Sequence, residues 1–271
     1  IEKICPEAKN LLLIPENSTD SFYLSNLAQL QRIFYQAGLN VRLGSLSNEI
    51  KAPTTVELPG GESVTLEPIV RSKRRLGLKH FDPCTILLNN DLSAGVPGIL
   101  EDLHEQYLLP PLHAGWPTRR KSTHFKVYDE VAKRFGKLLG MDPWLITPMF
   151  NQCGEVNFAD ENGLECLRSN TDALLNKIRR KYKEYGINEK PFVVIKADRG
   201  TGGLGIVTVR DVKDIDALSP QVRARMATVQ AGQPVTEVII QEGVLTNERI
   251  NAAVAEPVVY MMDRYVVGGF Y

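Results

Sequence analysis

The chain has 271 residues, with 43% hydrophobic and 24% charged side chains, enough for one large or two modest domains with real cores. Its 32 basic and 32 acidic residues cancel, which argues against nucleic acid as the main partner. No apolar run reaches the length of a membrane span, and no secretory signal is visible, although a chain that begins at Ile1 leaves its natural start open. The four cysteines, Cys5, Cys84, Cys153 and Cys166, form no CxxC pair, and the histidines form no HExxH pattern. Free, mostly buried thiols in a reducing cytoplasm are therefore expected, and no built-in transition-metal site.

Asn10–Pro15 (NLLLIP) reads as a short buried strand. Ser18 to Asp20 supply N-cap residues for a helix whose Leu24, Leu27, Leu30 and Phe34 recur at helical spacing, and Gly38 ends it. A strand restarts at Asn40, so the N-terminus predicts a βαβ unit and a parallel sheet. Thr54–Leu58 and Ser63–Glu67 flank Pro59-Gly60-Gly61-Glu62 and predict a hairpin. The basic run Arg71, Lys73, Arg74 and Arg75 reads first as a solvated face, with an anion contact as the alternative. Cys84–Leu88 predicts a strand that runs into Asn89-Asn90-Asp91, where a ligand-facing cluster and an Asx turn account equally for the polar residues.

Ile99–Tyr107 is expected to be helical, and the proline-rich stretch from Leu108 to Lys121 irregular. That stretch carries His113, Trp116, Arg119, Arg120 and Lys121. Arginine holds carboxylates through paired N–H groups, so Arg119 and Arg120 are the candidates for substrate carboxylates, with a solvated loop as the competing reading. A helix capped at Ser122 or Thr123 should run to Leu139 with an apolar stripe at Val127, Val131, Phe135 and Leu138. Cys153 reads as a buried structural thiol, and Leu164–Tyr185 as a long amphipathic helix.

The stretch PFVVIKADRGTGGLGIVTV, Pro191 to Val209, carries most of the chemistry. Two apolar runs read as strands, Lys196 closes the first, and Gly200, Thr201, Gly202, Gly203 and Gly205 join them. Glycines let successive N–H groups approach an anion, and a lysine beside them suits a polyphosphate. A hairpin that binds nothing has the same composition. A Walker A loop would place its lysine after the glycines and open a helix, and a dinucleotide fingerprint also needs a helix next. Helical structure follows from Asp211 through Arg225, then the strand Glu237–Gln241. Gln241 and Glu242 can serve adenine and ribose. Val254–Tyr260 and Tyr265–Phe270 read as two strands paired across Asp263-Arg264. Asp198 and Glu256 lie near these strands and read as partnered acids, with substrate or magnesium contact as the alternative.

The order strand, lysine, glycine-rich flap, strand resembles the ATP-grasp fold. IKADRGTGGLGIVTV, EVIIQEGV and AEPVVYMMDRYVVGGFY, with NNDLSAGVP, LLPPLHAGWPTRRKSTHF and DPWLITPMFNQCGEVNF, resemble the ATP-grasp-type glutamate–cysteine ligases of certain proteobacteria. The resemblance implies an α/β protein with three parts. An N-terminal, pre-grasp-like substrate-side domain covers 1–150, a helical connector 151–190, and an ATP-grasp-like α+β nucleotide-binding region 191–271. It implies ATP and Mg2+, glutamate and cysteine as small-molecule substrates, no nucleic acid or membrane partner, a cytoplasmic location, and an oligomeric state left open. Lys196, Gly200, Thr201, Gly202, Gly203 and Gly205 would hold phosphates, and Gln241 and Glu242 would sit at the adenine–ribose strand. The metal ligands are expected beyond Tyr271, which makes the region incomplete at its C-terminus. A glutathione synthetase-like ligase and a non-catalytic nucleotide-binding protein are the competing readings.

Overall fold

The structure is a computed structural model that describes residues 9–16, 18–90, 92, 95–114, 118–159, 163–200, 205–228 and 234–271. Thr201, Gly202, Gly203, Trp116, Asp91 and Cys5 lie outside the described residues. The chain divides into two compact units. The first takes residues 1–123, 199–204 and 228–234, and the second takes 124–198, 205–227 and 235–271. The division thus falls at Thr123, inside a helix, where the sequence reading placed a boundary near residue 150. The segment 150–154 explains the difference, because it pairs with a late strand of the second unit.

In the first unit, β1 (Asn10–Pro15), α1 (Ser21–Gln36) and β2 (Asn40–Ser45) form the expected parallel βαβ motif. The Asp20 side chain caps α1 by accepting the N–H groups of Phe22 and Tyr23 at 2.9 and 3.1 Å. Leu24 and Leu27 face the sheet, where Leu11, Leu13, Val41 and Leu43 are fully buried. The hairpin of β3 (Thr54–Glu57) and β4 (Ser63–Pro68) joins this sheet through β4 and β2. A small ribbon, β5 (Val70–Ser72) with β6 (Arg75–Gly77), follows. Then β7 (Thr85–Asn89) pairs with β1, and β8 (Tyr107–Leu109) with β7, giving the order β3-β4-β2-β1-β7-β8.

Three expectations are corrected here. Ile99–Tyr107 is not helical: Gly98–Leu100 is a single 3-10 turn, and Tyr107 already belongs to β8. The basic run is not simply solvated. Arg71 donates to the carbonyls of Ile99 and Glu101 at 2.8 and 2.6 Å, and Arg75 grips Asp82 at 2.9 Å, so both brace neighbouring loops. Finally, Cys84 is disulfide-bonded rather than a free thiol.

The second unit is built on α2 (Lys121–Leu139), which starts in the first, and on β9 (Phe150–Gly154) and α3 (Leu164–Glu184). The strands β10 (Val193–Ala197) and β11 (Ile206–Val209) come next, then the short helices α4 (Lys213–Asp216) and α5 (Pro220–Ala227), and β12 (Glu237–Glu242). The sheet is antiparallel throughout, in the order β11-β10-β12-β9. One face packs on α3 through Leu167, Leu174, Leu175 and Ile178 against Val193, Ile195, Val238 and Ile240, all buried. After β12 come β13 (Arg249–Ile250), β14 (Ala253–Val254), β15 (Val258–Met262) and β16 (Tyr265–Phe270), paired as two ribbons. The second ribbon is the hairpin expected across Asp263-Arg264. The stripe on α2 is a further correction: Val127, Val131, Phe135 and Leu138 are exposed, at 59, 57, 48 and 83%.

Candidate active site

Successive side chains on a strand point to opposite faces, and directly paired residues of neighbouring strands share a face. In this register Lys196 pairs with Ile206 and Ile239, and Gln241 pairs with Val194 and Phe150. Lys196 and Gln241 therefore stand diagonally on one face, away from α3. The Lys196 ammonium donates to the Gln241 side-chain carbonyl at 2.9 Å. Burial alone pushes the lysine's pKa below its ordinary value, and no carboxylate pairs with it among the described residues. Among the described residues its hydrogen-bond partner is this neutral amide.

The backbone around it is also poised. Gly200 and Gly205 have φ of +93° and +65°, the left-handed region in which glycine is unstrained. Gly205 closes the hairpin by accepting the Ala197 N–H at 2.9 Å. Between them lie Thr201, Gly202 and Gly203, outside the described residues. Within the first unit, the Lys121 ammonium donates to the Gly200 carbonyl at 3.0 Å. This links the basic triplet Arg119-Arg120-Lys121 to the start of the glycine stretch. Arg120 is half-buried and Arg119 exposed. Asp198 is fully buried, whereas Glu256 is exposed and accepts the Thr246 hydroxyl at 3.3 Å.

Glu242 goes the other way. As the next residue after Gln241, its side chain points to the α3 face and is only 6% exposed. The Trp144 indole N–H donates to both carboxylate oxygens at 3.0 and 2.9 Å, and the Met149 N–H donates to one at 2.9 Å. Burial raises the carboxyl's pKa, and these donors offset part of the rise. Glu242 lines a pocket of about 620 Å³ walled by Trp144, Tyr182 and Tyr185. The two residues expected to act together at adenine and ribose thus part: Gln241 joins Lys196, and Glu242 holds the end of β12 from behind. Its N–H and that of Gly243 are also used, on the carbonyls of Met149 and Phe192 at 2.8 Å each. Val244 is the first residue past the strand whose N–H meets no partner among the described residues. Sequence reading missed Trp144 and Met149 because they lie 98 and 93 positions from Glu242. The isolated tryptophan beside Asp142-Pro143 was the one available cue.

A half-buried lysine thus stands at the start of a glycine-bounded hairpin, on the side of an antiparallel sheet turned away from α3, with Gln241 as its partner among the described residues. The chain belongs to the glutamate–cysteine ligase family, whose description, "GshA: Glutamate-cysteine ligase", matches residues 1–271. Among solved structures it is similar to a Methylobacillus flagellatus KT protein designated a gamma-glutamylcysteine synthetase. That likeness has 54% identity and a TM-score of 0.86, and covers 100% of this chain and 64% of the other. The chain therefore spans 64% of that neighbour's length. D-alanyl-alanine synthetase A from Vibrio cholerae matches with 12% identity and a TM-score of 0.43, over 97% of this chain and 67% of that one. An ATP-grasp RimK domain protein from Sphaerobacter thermophilus matches with 12% identity and a TM-score of 0.39, over 88% and 65%. No curated protein matches. No helix among the described residues is long and apolar enough to cross a membrane.

Proposed function

We propose that the protein to which this chain belongs joins the γ-carboxyl of glutamate to the amine of cysteine at the expense of ATP. ATP phosphorylates the carboxylate, and the amine then displaces phosphate from the acylphosphate through a tetrahedral intermediate. The observation that carries this reading is the Lys196 ammonium, half-buried with only a neutral partner among the described residues, in a chain whose whole length matches the ligase family. Its chemistry fits a phosphate oxygen. The anion would favour the lysine's charged form and offset the desolvation that lowers its pKa.

In this reading the second unit's sheet is the ATP-grasp nucleotide platform. Lys196 and the segment from Gly200 to Gly205, with Thr201, Gly202 and Gly203, hold the phosphates. Gln241 positions the lysine, and the Val244 N–H is the backbone donor left for an adenine edge. Glu242 supports that edge from the opposite face. Arg119 and Arg120 take substrate carboxylates, since guanidinium groups bind them in pairs. Phosphoryl transfer needs little covalent help from the protein, so placing the phosphate and screening its charge are the main tasks. Magnesium would accompany ATP and neutralise its oxygens. The described residues offer no cluster of three His, Cys, Asp or Glu side chains for a metal, so none is assigned as a ligand.

Product analysis with the full-length protein, ATP and a panel of amino acids tests the reading. ADP and phosphate release that requires both glutamate and cysteine, with γ-glutamylcysteine as product, supports it. Release that requires γ-glutamylcysteine and glycine would replace it with a glutathione synthetase-like activity. Binding of ATP without turnover on any amino-acid pair would leave a non-catalytic nucleotide-binding protein.

A further inference from the structure

The second unit holds a pair of thiols that the ligase reading does not use. Cys153 lies on β9 and Cys166 in the first turn of α3, and their sulfurs are 3.2 Å apart. Both are free. A disulfide needs about 2 Å between sulfurs, so an approach of about 1 Å would close it. The two sites differ in access: Cys153 is 1% exposed, against the α3-facing side of the sheet, whereas Cys166 is exposed to solvent.

A polar group serves both sulfurs. Asn170, one turn further along α3, places its side-chain nitrogen 3.3 Å from each of them and donates to the Cys166 carbonyl at 3.0 Å. Two amide hydrogens face three acceptors, so the amide can shift toward whichever sulfur gains negative charge. Burial and the neighbouring thiol push Cys153 up to about 12, which keeps it a protonated thiol in the resting protein. It is therefore suited to react second, and only with a sulfur already against it. The described residues offer no third ligand that would make the pair a metal site.

We propose that Cys166 is a thiolation site for low-molecular-weight disulfides and that Cys153 resolves the adduct, forming a reversible Cys153–Cys166 link that fastens β9 to α3. The Cys166 thiolate attacks one sulfur of the small disulfide. A Cys166–S bond forms, the S–S bond of the reagent breaks, and one small thiolate leaves. Cys153 then gives up its proton, its sulfur attacks Cys166 Sγ, and the second small thiolate departs. Two protein thiols are oxidised by two electrons, one small disulfide is reduced to two thiols, and the two protons released by the protein end on those products. The link would stiffen the strand that pairs with β12, which carries Gln241. The inference rests on the two thiols and their surroundings and is independent of the proposed reaction.

The full-length protein is treated with 2-hydroxyethyl disulfide, remaining thiols are alkylated, and peptides are mapped by mass spectrometry. The untreated protein, denatured before alkylation, should show both residues alkylated. The treated protein should yield the cross-linked 153/166 peptide pair, reversed by dithiothreitol. Cys153→Ser should retain a stable mercaptoethanol adduct on Cys166, and Cys166→Ser should leave Cys153 unmodified. A treated wild-type protein that keeps the adduct on Cys166 with Cys153 still free would overturn the proposal. So would equal modification of Cys153 in Cys166→Ser. The wild-type arm decides the matter even where the buried substitution prevents folding.

Discussion

Removing the Glu242 carboxylate tests whether that residue is a structural anchor or a ribose ligand. In Glu242→Ala, the Trp144 indole N–H and the Met149 N–H both lose their acceptor. An unsatisfied buried donor costs about 1–3 kcal/mol. Trp144 is only half-buried, so water recovers part of its share, and the expected loss is about 2–4 kcal/mol in total. For a chain of this size that lowers the thermal midpoint by about 5–15 °C. A double-mutant cycle isolates the contact: Trp144→Phe with Glu242→Ala should show a coupling of about 1.5–3 kcal/mol, the range for a hydrogen bond to a charged group. The assay is urea denaturation of the two single variants, the double variant and the wild type. Additive losses, to within about 0.5 kcal/mol, would refute the anchoring role. The isosteric Glu242→Gln adds a pH test. Burial raises the folded-state pKa of Glu242 above its ordinary 4.5, so its contribution is fully present below that value and is lost as pH rises through the folded one. The stability of wild type relative to Glu242→Gln should therefore fall as pH rises through that window. A ribose role predicts instead a large rise in KM for ATP that vanishes with a dideoxyribose analogue.

Lys196→Met should lower kcat/KM for ATP by about 100-fold or more, since a lost preorganised donor typically costs that much. Its thermal midpoint should stay level or rise at neutral pH, because burial of the ammonium is a cost that disappears only as pH climbs through its lowered folded-state value. A lower midpoint with intact turnover would remove Lys196 from the site. Arg119→Ala should raise KM for one amino acid by about tenfold and leave that for ATP level, and an unchanged amino-acid KM in steady-state assays would discard the assignment. Gly243→Ala should destabilise by about 1–3 kcal/mol in urea titrations, as an overpacked site does. A Cβ there would sit 2.0 Å from the Phe192 ring. A neutral effect would mean that Phe192 moves freely off the strand end.

Sequence legibility followed the range of the forces involved. The βαβ start, the hairpin around Pro59 and the long helix α3 were readable because capping, turn chemistry and apolar spacing act over a few residues. Ile99, Leu100 and Leu103 have helical spacing too, yet Tyr107–Leu109 becomes a strand because the edge of β7 offers a ladder that local propensity cannot see. On α2 the periodicity was real and its meaning was not. The tight side of the helix is formed by Ala132, 3% exposed, and by Gly136, where a Cβ would come within 2.7 Å of the Met141 carbonyl. The large residues face outward, so amphipathicity told the number of faces and not which one is covered. The candidate site repeats this division at atomic scale. Lys196 and its glycines form a local signal, whereas the contact with Gln241 crosses 45 positions and needs the antiparallel register. Two adjacent residues, Gln241 and Glu242, read as one functional pair in a linear string. A strand makes neighbours in sequence strangers in space, and only the alternation of faces shows that one looks toward Lys196 while the other is locked beneath Trp144.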